Sequence, residues 1–91
     1  MLVFHDINPV APVHFLMIPK KHVDNLYGPQ DDAVLGKMHG KAGELATGLG
    51  ATDGFRVVIN NGRVGRQEVY HLHVHVMGGS QPLGSGMNRG A

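Results

Sequence analysis

The run His71-Leu72-His73-Val74-His75-Val76 alternates imidazole and aliphatic side chains without a break. Only extended backbone separates such a pattern cleanly, so the run predicts a strand with His71, His73 and His75 on one face and Leu72, Val74 and Val76 on the other. A buried imidazole needs a hydrogen-bond partner, which makes three on one face a poor choice for a core. A single histidine is best read as a satisfied structural residue. Three in alternation point instead to a working site, where perturbable groups gather.

The rest of the chain supplies a small sheet for that strand. Leu2 to His5 reads as a strand, broken by Asp6-Ile7-Asn8-Pro9 and again at Pro12, and His14 to Ile18 as a second, closed by Pro19. Gly28-Pro29 opens a helix, with Asp31 and Asp32 in the first turn where the helix dipole favours negative charge. Val34, Leu35, Met38, Ala42, Leu45, Ala46 and Leu49 recur at helical spacing as one apolar face, and Gly48 and Gly50 end it. Gly36, Gly40 and Gly43 inside this helix suit either close approach of another backbone or simple tolerance. Phe55 to Asn60 and Val69 to Met77 are the third and fourth strands. The expected class is α+β, an antiparallel sheet of about four to five strands with one main helix.

With 91 residues the chain has room for one small domain, and help from a partner subunit is plausible on size alone. Eight Lys and Arg against seven Asp and Glu give no electrostatic case for nucleic-acid binding, and no apolar run is long enough to span a bilayer. The absence of Cys removes a thiol nucleophile and thiolate metal sites. The N-terminal residues do not read as a signal peptide, so the expected location is cytoplasmic.

A histidine face serves two chemistries. Zinc is held by such residues, with His14 as a further ligand. Alternatively, a neutral imidazole attacks phosphorus while its neighbours fix the tautomer and pass protons. The loop Asn60-Asn61-Gly62-Arg63-Val64-Gly65-Arg66-Gln67-Glu68 favours the second. Gly62 and Gly65 allow backbone amides to face an anion, and Arg63 or Arg66 adds charge, so the loop reads as a phosphate clamp rather than a plain hairpin. His22, His39, Lys20 and Lys21 read as surface residues.

These residues resemble the histidine triad (HIT) family, in particular its Hint branch. The resemblance rests on His71-Leu72-His73-Val74-His75-Val76-Met77, with Gln67-Glu68-Val69-Tyr70 before it and Gly78-Gly79 after it. Phe4-His5-Asp6-Ile7-Asn8-Pro9-Val10-Ala11-Pro12-Val13-His14 and Ile18-Pro19-Lys20-Lys21-His22 match upstream. It implies a HIT-like domain over residues 1–83 with a tail at 84–91, a homodimer, and hydrolysis of adenosine 5′-phosphoramidates to AMP and an amine. It implies neither cofactor nor metal. His73 falls on the family nucleophile, which would form a covalent nucleotidyl-imidazole. His75 would bond the phosphate, and His14 and His71 would support the proton network. Asp6 would hold the ribose hydroxyls, Phe4 and Ile7 would wall the base, and Asn60, Arg66, Gln67 and Glu68 would line the phosphate and leaving-group side. Two alternatives stand beside this: a catalytically weak AMP-binding module, and a zinc-binding domain using His71, His73 and His75. Arg66 replaces the usual glycine of the branch. The family's N-terminal helix and strand have no counterpart before Phe4, so an exposed sheet edge and a half-open base pocket are expected.

Overall fold

Phe15, Met17, Val74 and Val76 turn from the sheet toward Met38, Ala42 and Ala46 of the helix, and this contact is the core. The computed structural model describes residues 1–28 and 32–84. The elements are β1 (Leu2–His5), β2 (Val13–Ile18), α1 (Asp32–Gly48), β3 (Phe55–Val58) and β4 (Val74–Gly78). The four strands form one sheet in the order β1-β2-β4-β3, with every neighbouring pair antiparallel. The α+β expectation holds.

The apolar periodicity of α1 does what its spacing dictates. Met38, Ala42 and Ala46 are buried, and Val34, Leu35 and Leu45 pack at their margins. Leu49, expected on the same face, is 44% exposed, because the helix has already turned into its cap there. Gly50 has φ 99°, Ala51 N–H reaches the carbonyl of Ala46 and Gly50 N–H that of Thr47. This pair of bonds is the Schellman termination that glycine favours. Of the helix glycines, a Cβ at Gly43 would lie 3.8 Å from the Phe55 ring, while one at Gly36 or Gly40 would meet open space among the described residues. Pro29 and Asp31, expected at the helix start, lie outside the described residues, as does the tail beyond residue 84.

Two strands are shorter than expected. The ladder between β2 and β4 pairs Met17 with Val74 and ends there. Continued, the register would set Pro19 opposite Leu72, and proline has no N–H to extend a ladder. Leu72 N–H instead bonds the carbonyl of Val23 at 2.6 Å, so residues 69–73 run beside the segment after β2 rather than in the sheet. β3 ends at Val58, opposite His75, rather than at Asn60. The other sheet edge is β1, all four of whose residues are exposed.

Candidate active site

Paired residues of antiparallel strands face the same side of a sheet. The register therefore sets Phe4, Leu16, His75 and Val58 in one row, and His14, Met77 and Arg56 in the next, on the side away from α1. His73 precedes β4 and its ring lies 4.9 Å from that of His75, at 67°.

Hydrogen bonds fix the tautomers one by one. Nδ1 of His73 donates to the carbonyl of His71 at 2.7 Å. A carbonyl only accepts, so the proton sits on Nδ1 and the lone pair on Nε2. At His14 the order is reversed. Val10 N–H donates to Nδ1 at 3.1 Å, so Nε2 holds the proton and donates to Nδ1 of His75 at 2.9 Å. Both rings are buried, and the Oδ2 of Asp6 lies 3.4 Å from His14 Nε2 and 3.9 Å from His75 Nδ1. Burial pushes the His14 imidazole down from its ordinary range, and the Asp6 carboxylate opposes that shift.

His71 does not join this cluster through its ring. Its Nε2 donates to the carbonyl of Pro19 at 3.0 Å, and the ring packs at 4.9 Å against His22. His22 is exposed, as expected, but it has partners that its sequence position did not reveal: the His71 ring and Asp24, whose Oδ1 is 2.8 Å from His22 Nε2. Five of the seven imidazoles thus split into a buried group (His73, His75, His14) and an outer pair (His71, His22), with His5 and His39 exposed elsewhere.

The loop before the histidines is not built as the sequence suggested. Gln67 was expected to line the phosphate side, yet it is buried and its carboxamide is fully engaged within the protein. Nε2 donates to the carbonyls of Asp24 and Val69, and Oε1 accepts from Asn25 Nδ2 and from Gly62 N–H. The Gly62 amide, expected to face an anion, is thereby turned inward. Leu26 N–H bonds the side chain of Asn61, tying the loop to the segment after β2 a second time. Gly65 is required sterically, since a Cβ there would sit 2.5 Å from the Asn61 oxygen. Arg66 has φ 62°, and it is the only non-glycine with positive φ among the described residues. Its side chain and that of Glu68 are exposed, and Asn60 is half-buried. Phe4 is 46% exposed and Ile7 91% exposed, which leaves both open on the β1 side.

A resident metal fits poorly. His71, His73 and His75 do not converge on a point among the described residues; the group that does is Asp6, His14 and His75, with ligand atoms within 4.8 Å of one another. A histidine that binds metal through Nε2 carries a proton on Nδ1 and donates it to a carbonyl or carboxylate. Nδ1 of His14 instead receives an amide N–H. The built tautomer suits proton transfer.

The chain resembles known proteins along almost its whole length. It is 52% identical over 80 residues to HitA of Neisseria gonorrhoeae, a match covering 86% of this chain and 75% of that protein. A HIT family hydrolase of Legionella pneumophila superposes with TM-score 0.80 at 43% identity, covering 87% of this chain and 73% of the other. Another HIT family hydrolase, from Clostridium thermocellum, gives TM-score 0.83 at 37% identity over 94% of this chain and 76% of its own. The family model of the HIT domain matches residues 1–82, carrying the histidines, the loop before them and the β1–β2 corner, and the chain belongs to the HIT domain family.

Proposed function

We propose that this protein hydrolyses purine nucleoside 5′-phosphoramidates, releasing AMP and an amine through a nucleotide bound covalently to His73. The observation that carries the reading is the tautomer of His73: Nδ1–H is held by the His71 carbonyl, which leaves a lone pair on Nε2 beside the His75 ring. That lone pair attacks the α-phosphorus and the P–N bond breaks. The departing amine takes a proton as it leaves, which requires an acid at the site. Water then attacks the same phosphorus, the bond to Nε2 breaks, and AMP leaves with His73 restored. Positioning and charge stabilisation are the main demands of such a transfer.

In this reading His75 bonds the phosphate and His14 supports the proton network, while His71 acts through its main-chain carbonyl, which holds Nδ1–H of His73. Asp6 meets the ribose, Phe4 and Ile7 cover the base, and Asn60, Arg66 and Glu68 lie toward the phosphate and leaving group. The protein works as a cytoplasmic homodimer. Phe55 and Val57, exposed on edge strand β3, support a partner on that side, and no helix among the described residues is long and apolar enough to cross a membrane.

The test is hydrolysis of adenosine 5′-phosphoramidate, with His73→Ala beside it and intact-mass detection of an AMP adduct. Turnover and adduct that His73→Ala abolishes support the reading. AMP binding without turnover by the folded wild type replaces it with a nucleotide-binding module.

A further inference from the structure

The β1–β2 corner wraps around a single side chain. Asp6 N–H bonds the His14 carbonyl at 3.0 Å, and Val10 N–H bonds His14 Nδ1. Asp6 is itself oriented by Asn8 N–H, which donates to Oδ1 at 2.8 Å and leaves Oδ2 facing His14 and His75. One short loop therefore meets both nitrogens of His14, with a donor on one side and a carboxylate on the other.

We infer that Asp6 is a positioning residue for the buried imidazoles, its Oδ2 forming with His14 Nε2 and His75 Nδ1 a triangle in which the carboxylate receives both rings, after a small turn of each toward it, when the pair takes up a proton. The catalytic consequence rests on the proposed hydrolysis; the proton chemistry belongs to the free protein. In the neutral state His14 Nε2–H donates to His75 Nδ1. An added proton cannot settle on His14 Nδ1, because the Val10 amide already points its own hydrogen there. It settles on His75 Nδ1, where it meets the Nε2–H of His14 head on. Two donors facing each other need a common acceptor. The carboxylate oxygen is one, with room for both bonds, at 3.4 and 3.9 Å from the two nitrogens. Among the described residues, the other titratable or charged groups on this side of the sheet are His73, beside His75 on the approach to β4, and Arg56, at the β3 end of the row that holds His14. α1 packs on the opposite face of the sheet and contributes no charge to it.

The resemblance gives Asp6 to the ribose, and the two roles separate experimentally. The first measurement is a pH titration of the histidine ring nitrogens by ¹⁵N NMR on the full chain. In the wild type, acid is expected to protonate His75 Nδ1 while His14 Nδ1 stays bare; protonation of His14 Nδ1 first overturns the inference. Asp6→Asn retains one acceptor for the turn and loses the carboxylate, so the midpoint of the pair is expected to move about one pH unit lower. An unmoved midpoint overturns it as well. The second measurement compares turnover of adenosine 5′-phosphoramidate and its 2′,3′-dideoxy analogue. Asp6→Asn is expected to lower kcat by roughly tenfold for both substrates, the equivalent of one pKa unit. A loss confined to the hydroxylated substrate and to KM assigns Asp6 to the ribose alone. If the wild type turns over neither substrate, the hydrolase reading fails, and the titration still decides the role of Asp6.

Discussion

The ring of His73 takes its orientation from the main chain of His71: Nδ1 donates to that carbonyl at 2.7 Å, while the side chain of His71 points elsewhere, to Pro19. The two residues are coupled through backbone, so replacing the His71 side chain leaves the tautomer of His73 in place. His71→Ala is expected to keep turnover within about tenfold of wild type and to lose about 1 kcal/mol of stability with the bond to Pro19. His73→Ala is expected to abolish turnover. Steady-state kinetics and urea unfolding of the two variants check the contrast, and equal losses of turnover would contradict it.

Arg66 holds a left-handed backbone conformation that costs a side chain of this type roughly 1–2 kcal/mol and glycine very little. Glycine also loses more conformational freedom on folding, which offsets part of the relief. Arg66→Gly is therefore expected to stabilise the protein by up to about 1 kcal/mol. An unchanged or lower urea midpoint would show that the strain is relieved by other means.

Gln67 is bonded by both donors and both acceptor sites of its carboxamide. Glutamate has the same shape and no donor, so it would set a buried carboxylate against the carbonyls of Asp24 and Val69. Gln67→Glu is expected to destabilise by roughly 3 kcal/mol or more at neutral pH. The loss should be smaller in acid, where a protonated carboxyl regains one donor. Denaturant unfolding at two pH values measures both parts.

Burial lowers the folded-state pKa of His14 relative to the unfolded chain. As pH falls through the ordinary imidazole range, the unfolded state takes up a proton that the native state refuses. The unfolded state then binds more protons, and stability declines. His14 is expected to contribute to a loss of stability that sets in as pH falls through about 6.5. His14→Gln removes that contribution, so its stability should fall less steeply over the same descent. A slope unchanged by the substitution would contradict the assignment.

Local pattern located β1, β2 and the body of α1, because their boundaries are set by nearby proline, glycine and turn residues. The extent of β4 was not legible. It depends on where β2 runs out at Pro19 and on Leu72 N–H turning to the Val23 carbonyl, relationships between residues far apart in sequence that a strand pattern read alone does not contain. The imidazole alternation groups three rings on one face; the structure brings His73 and His75 together at 4.9 Å, while the ring of His71 turns to Pro19 and His22. Asp6 was named through the resemblance for a different task; its approach to His14 and His75 exists only after two strands and a loop have closed. Gln67 was noted as part of a motif. Its engagement by four groups from separate segments has no signature in one dimension.

The Val10 contact with His14 is made by an amide, which every residue but proline possesses. The setting that determines which nitrogen of His14 carries a proton is thus indifferent to the identity of the side chain at position 10. Substitutions there other than proline leave the amide, and with it the proton path, in place. The change that exposes it is Val10→Pro, which removes the hydrogen and sets a ring carbon against Nδ1 of His14 in its place.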